Sequence, residues 1–359
     1  MKMGKNKIVT ITKKVGDSMV EFYIKDEAVH DLPVNNLPKF YSFGVPTYTN
    51  LGDQAVSLAQ KKYIEHEFPE YQFIEILEDD NDEAIEIVKR VIKPGDIVSF
   101  VGGGNMGSLY TDHEEARRKV FSTFVDNLTI SFPQSIHFED NEHGKAEEKL
   151  SQEAYAKNSH LFLVARDAQS YHRMQTTFEN KVLFTPDMVL YMKPVEHNVK
   201  KESTLIVLRH DSEKVVKQET VDAIKKLLSK NKSVAETDTV LDTVERITPV
   251  NREKLFKDEL ELFAKQEIIV TDRWHAMVFS VLTGTPCLLF GNSYGKGKHA
   301  YFDWLEHINW VSYTDEDDFE RIQSQINKLK RVETHKYDIK DDFNQLRHII
   351  QLNSNKYGF

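Results

Sequence analysis

The chain has 359 residues, 40% of them hydrophobic with 21 Phe, which suffices for about two domains with sizeable cores. Its 57 acidic and 47 basic residues leave a net charge of −10, which argues against a nucleic-acid-binding surface. The single Cys287 excludes an internal disulfide framework, and no apolar run reaches the roughly eighteen residues of a membrane span, so a soluble cytoplasmic protein is expected.

Two alternating runs within residues 8–24 flank Gly16 and Asp17 and predict a β-hairpin, with 1–38 as an N-terminal extension. From Lys39 the pattern becomes strand–helix alternation. Strands are predicted at 40–45, 73–77, 96–101, 128–132 and 161–165. Helices are predicted at 53–68, 82–91, 114–124, near 147–157 and at 168–178. These form an N-terminal α/β domain over 39–195. The polar stretch from Tyr191 to Ser203 reads as a linker. A second α/β domain over 203–335 follows, with strands at 204–208, 267–271, 287–290 and 310–313. Its helices fall at 216–230, 251–265, 273–283, near 298–307 and at 316–330. Residues 339–353 are amphipathic, so 336–359 is expected to be a helix that packs back on the body. The predicted class is α/β, with two Rossmann-like domains facing a cleft. Ligands bind such folds at the C-terminal ends of parallel strands, so the loops after strands matter most.

The first of these loops carries Asn50, Gly52 and Asp53. Gly52 permits a tight turn or a close backbone approach; Asp53 suits a helix cap; Asn50 suits a sugar hydroxyl or a phosphate. The second is Gly102-Gly-Gly-Asn-Met-Gly107. It has the spacing of a dinucleotide fingerprint, but it is not on a first strand and no acidic residue closes the next one. It is read instead as a loop whose Gly103, Gly104 and Asn105 let backbone amides approach a ligand. Gln134 is a further ligand contact. Arg166 and Asp167 read as a local ion pair, and Pro186-Asp187 as the close of the first domain. Arg209 ends the first strand of the second domain, either facing the cleft or paired with Asp211 or Glu213. The loop 290–299 is glycine-rich and basic; its Lys296 and Lys298 either cover a ligand phosphate or belong to a flexible loop. Cys287 is read as a small buried hydrophobe.

The most informative stretch is 268–277. An apolar strand runs into Thr271 and Asp272, either of which suits a helix cap, and the helix opens with Arg273 and His275. Unpaired backbone N–H groups at a helix start attract anions, and arginine adds a fork shaped for carboxylate or phosphate. Histidine moves protons near neutral pH. Together they suit a site that holds a small anion and protonates it. No zinc-type Cys/His spacing occurs, so metal-independent chemistry is expected.

Asn50-Leu-Gly-Asp53, Val101-Gly-Gly-Gly-Asn105, Ala165-Arg-Asp167, Pro186-Asp187, Leu208-Arg209, Val270-Thr-Asp-Arg-Trp-His275 and Thr283-Gly-Thr-Pro-Cys287 appear in that order. In this the chain resembles the polysaccharide pyruvyltransferase family over roughly residues 40–330. The resemblance implies a GT-B-like fold, phosphoenolpyruvate as donor substrate with no separate cofactor, and a sugar or lipid-linked oligosaccharide as acceptor. The product implied is a pyruvate ketal of two hydroxyls, in an exopolysaccharide or cell-wall glycan. It maps donor binding to Arg273 and Arg209 and the motif histidine to His275; Trp274 stands where the family often has an aliphatic residue. On this basis His275 is the expected general acid. Asp53 is the candidate for activating the sugar hydroxyl, and Arg209, Arg273, Lys296 and Lys298 stabilise departing phosphate. A lipid-linked acceptor would bring the protein to the inner face of a membrane. The competing classes are a nucleotide-sugar glycosyltransferase of the same architecture and a non-catalytic sugar- or anion-binding protein.

Overall fold

A computed structural model describes residues 8–15, 18–25, 36–194, 200–201, 203–209, 215–230, 232–291, 295–334 and 337–359, with backbone only for 8–15, 18–25 and 296. The first sheet is built from β1 (Ile8–Val15), β2 (Ser18–Lys25), β3 (Lys39–Val45), β4 (Gln72–Leu77), β5 (Ile97–Phe100), β6 (Gly103–Gly107), β7 (Leu128–His137), β8 (Leu161–Ala165) and β9 (Lys181–Phe184). Its order is β2-β1-β4-β3-β5-β7-β8-β9, with β6 laid against β7. The second sheet is built from β10 (Ser203–Val207), β11 (Val234–Thr237), β12 (Gln266–Thr271), β13 (Cys287–Phe290) and β14 (Val311–Thr314), in the order β11-β10-β12-β13-β14.

All pairs from β3 onward are parallel. Parallel strands need helical crossovers, which cover both faces and demand continuous apolar runs. β13 is such a run, and β3 is also buried at every position, with Lys39 and Ser42 among its apolar residues. The crossovers are α1 (Leu51–Glu67), α2 (Asn81–Val91), α3 (Thr111–Thr123), α4 (Glu142–Tyr155) and α5 (Ala168–Thr177) around the first sheet. Around the second they are α6 (Gln218–Leu228), α7 (Pro249–Ala264), α8 (Trp274–Thr283), α9 (Lys296–Ala300, continued by a π turn to Leu305) and α10 (Phe319–Leu329). Side chains set several helix starts. Asn50 accepts from Gly52 N, Asp167 from Ser170 N, and Thr248 and Asn251 form a capping box on α7.

Several expectations are corrected here. The N-terminal strands β1 and β2 do pair as a hairpin, and β1 also pairs antiparallel with β4, so they extend the first sheet; the Gly16-Asp17 turn lies outside the described residues. Helices α1, α3 and α4 begin at residues 51, 111 and 142, each ahead of its predicted start. Strands β9 and β11, not expected from the sequence, are four-residue edge strands too short to show a period. In the predicted linker, residues 195–199 and 202 lie outside the description.

The two lobes are sewn together. Leu51 N donates to Thr239 O at 2.8 Å and Leu241 N to Thr49 O at 2.9 Å, an antiparallel bridge between the loop after β3 and the segment after β11. Arg252 of α7 donates to Glu75 of β4 at 2.6 Å, both fully buried, with Lys61 of α1 at 3.6 Å. One apolar cluster runs through both lobes. The last helix, α11 (Asn344–Tyr357), returns to the first lobe, as its amphipathic pattern predicted. There Arg347 pairs with Glu67 at 2.8 Å, and Phe343 packs on Tyr63 and Tyr191.

Candidate active site

The strand ends of the two sheets face a cavity of about 430 Å³. Asn50, Asp53, Gly104 and Asn105 line it from the first lobe, and Arg209, Arg273 and His275 from the second. The sequence had singled out each of these seven.

The end of β12 explains the second half. Thr271 Oγ1 donates to Val207 O at 2.7 Å and accepts from Arg273 N at 2.9 Å, which turns the chain out of the sheet. Arg273 itself occupies the N-cap position of α8, without a side-chain cap. Neither Thr271 nor Asp272 takes that place. Instead Asp272 accepts from Arg209 N at 2.9 Å and so ties the ends of β10 and β12 together. Burial raises the Asp272 carboxyl to about 6, against the pull of Arg209 and Arg273. Arg273 is forked onto Asp238, with Nε to Oδ1 and Nη2 to Oδ2 both at 2.7 Å.

His275 stands over a buried acid. Its Nε2 lies 3.5 Å from Asp187 Oδ2, too poorly aligned to count as a hydrogen bond. The same oxygen receives Arg166 Nη1 at 2.5 Å and the Trp274 indole at 3.3 Å, while Oδ1 receives Val189 N at 3.0 Å. Burial by itself pushes the Asp187 carboxyl upward; Arg166 and His275 outweigh it and hold the group well below the usual carboxylate range. An ionised carboxylate beside an imidazole steadies the imidazolium, the form that delivers a proton.

The first lobe is shaped around these groups. A Cβ on Gly52 would lie 2.3 Å from His275 Nδ1, and one on Gly104 would lie 2.9 Å from Arg166 Nη2. These glycines therefore make room for two side chains. Gly104 also lines the cavity, whereas Gly52 does not and instead turns the chain by donating its N–H to Asn50 Oδ1 at 2.9 Å. Gly103, at φ +136°, turns the chain beside Asp53, whose Oδ1 is 3.7 Å from the site of its missing Cβ. Asn50 caps α1 and donates to Asp53 Oδ2 at 2.8 Å. Asn105 accepts from Arg117 at 2.7 Å. The Tyr48 phenol on the same wall is held well above its ordinary value by burial and by the charges of Asp53 and Glu78, so it is a hydrogen-bond donor and not a base.

Other assignments are corrected. Gln134 is fully buried under the glycine segment, donates to Val101 O at 2.7 Å, and does not line the cavity. Lys298 turns outward to Asp315 at 2.5 Å, over the Tyr313 ring. The Lys296 side chain, Asp211 and Glu213 lie outside the described residues. Arg166 does not pair with Asp167, which caps α5 and accepts from Ser135 at 2.6 Å. Arg166 reaches Asp187, so the segment read as closing the first domain supplies the acid under His275. Asp238 gave no signal, because it follows the unforeseen β11. Among the described residues no group of three or more His, Cys, Asp or Glu is arranged to hold a metal ion.

Two facing α/β sheets, parallel from β3 onward, with a charged cavity at their strand ends define a two-domain protein of the GT-B type. The UDP-GlcNAc 2-epimerase of Methanocaldococcus jannaschii shares this fold at TM-score 0.50 and 13% identity, covering 87% of this chain and 99% of that one. The chain belongs to the polysaccharide pyruvyl transferase family, whose model matches residues 50–294. It is 46% identical to general stress protein 30 of Bacillus subtilis, over 87% of this chain and 91% of that relative. It is 32% identical to pyruvyl transferase 1 of Schizosaccharomyces pombe, over 75% and 70%. The protein is therefore a transferase, and the family implies a sugar or polysaccharide acceptor.

Proposed function

We propose that the protein transfers the pyruvyl group of phosphoenolpyruvate to two hydroxyls of one sugar, as a ketal, and releases phosphate. The observation that carries this reading is the convergence of Arg209, Arg273 and the His275–Asp187 pair on one interlobe cavity. Phosphoenolpyruvate bears a carboxylate and a phosphate on a small frame, and guanidinium groups bind both as two-pronged contacts. His275 delivers a proton to the methylene carbon as one sugar hydroxyl bonds to the central carbon. The second hydroxyl then bonds to that carbon as the carbon–oxygen bond to phosphate breaks. The two hydroxyl protons are passed on, one restoring His275. Asp187 steadies the imidazolium; Asp53, beside Asn50 on the opposite wall, accepts a hydroxyl proton. The arginines stabilise the departing phosphate.

A lipid-linked acceptor would be met at a membrane surface; among the described residues no helix is long and apolar enough to cross one. The test is phosphate release from phosphoenolpyruvate across a panel of glycan and lipid-linked acceptors. His275→Ala is expected to lower kcat by about 10²–10⁴-fold with its melting temperature kept. Near-normal turnover by that variant removes the histidine from the chemistry. Turnover of a nucleotide sugar in the absence of phosphoenolpyruvate overturns the whole reading.

A further inference from the structure

We propose that Asp238 is a built-in competitor for the donor. It takes on Arg273 the same two-pronged contact that a donor carboxylate or phosphate takes, so anion binding is an exchange rather than a simple addition. This rests on the proposed role of Arg273 in holding an anion.

Three observations carry it. First, the contact is a complete fork, with both Asp238 oxygens engaged on adjacent guanidinium nitrogens at 2.7 Å. That is the geometry in which arginine recognises carboxylate and phosphate ligands. Second, the pair sits at the cavity and not in the core. Arg273, Thr239 and Val240 all line the cavity, and the two paired side chains keep 11% and 12% exposure. The arginine–carboxylate pair beneath His275, Arg166 with Asp187, is deeper, at 6% and 2%. Third, Asp238 is held by its chain. The next residues are bonded to the opposite lobe through Thr239 O and Leu241 N. The carboxylate is therefore anchored on a short stem, and the longer arginine side chain is the arm that moves.

The exchange has a consequence for turnover. A ligand with one anionic group must give up as much as it gains at Arg273. A donor with two anionic groups still has the rest of the cavity to bind. Asp238 therefore penalises free phosphate relative to the donor and helps the product leave.

The experiment titrates inorganic phosphate and phosphoenolpyruvate separately into the wild-type protein, Asp238→Asn and Asp238→Ala by calorimetry, with thermal melts as a check on folding. Removing a like charge a few ångströms from the ligand is expected to tighten phosphate binding about tenfold. Product inhibition by phosphate should strengthen in parallel. Arg273→Ala placed on top of Asp238→Asn should erase the gain. Unchanged or weaker phosphate binding in both folded variants overturns the proposal, as does undetectable binding by all three proteins. Tighter phosphate binding without any turnover of phosphoenolpyruvate leaves the competitor standing and sinks the proposed reaction. Normal turnover with no tightening does the reverse.

Discussion

His275 is positioned from two sides by residues that never need to touch a substrate. Asp187 lies beneath its Nε2, and Gly52 of the opposite lobe lies against its Nδ1. A single methyl group at Gly52 would drive the imidazole off its acid. Gly52→Ala is thus expected to lower kcat by about 10²-fold, the cost of a misplacement near 1 Å, with little change in donor KM. Steady-state kinetics check this, and an unchanged kcat would mean the ring is free to move. The residue types at the site were visible in the sequence: an arginine and a histidine at a helix start, an arginine at a strand end, an Asn-Leu-Gly-Asp turn. Their partners were not. Asp187 lies 88 residues before His275, and Asp238 lies 35 before Arg273. Nothing local marks such acids as belonging to one pocket, and Arg166 beside Asp167 invited the wrong pairing.

At the scale of elements, helix α7 combines a clear local signal with a hidden cost. Thr248, Pro249 and Asn251 announce its start, and Phe256 and Phe263 pack on Phe279 of α8. Glu259 is buried among them, 7% exposed, and its Oε1 has no hydrogen-bond partner among the described residues. Burial raises its carboxyl to about 7 from 4.5. The folded chain thus holds that proton more tightly than the unfolded one. The stability linked to it is fully present below about pH 4.5 and is lost as pH rises through about 7. Glu259→Gln mimics the protonated form. It is expected to match the wild type near pH 5 and to exceed it at pH 8 by up to about 3 kcal/mol. Urea unfolding at the two values measures the difference; equal stability at pH 8 would show that the carboxylate is solvated. The same scale shows which elements a period can reveal. Strand β3 was legible from its largely apolar residues, and β7 only over its first half, 128–132; it continues to His137 through Pro133, Gln134 and Ser135. β6 was not legible, because its glycines carry no side-chain pattern at all and pair with β7 only through backbone contacts.

The whole molecule depends on contacts between lobes. Arg252 and Glu75 are 177 residues apart and join α7 to the first sheet with both charges buried. Arg252→Ala strands Glu75 beside Lys61 alone and is expected to cost about 3–5 kcal/mol, read by chemical denaturation. A loss below about 1 kcal/mol would mean that Glu75 is solvated or fully served by Lys61. Taken by itself, the sequence determined the class of fold, the two-lobed order of its elements, the return of the last helix and the residue types on each strand-end loop. Those features follow from periodicity, burial and capping, which act within a few residues along the chain. Only the tertiary structure decided which acid serves which base, which glycines make room for which side chains, and that Gln134 and Lys298 face away from the cavity. Pairings of that kind are set by how two lobes dock, and docking brings together atoms whose separation along the chain carries no trace of their distance in space.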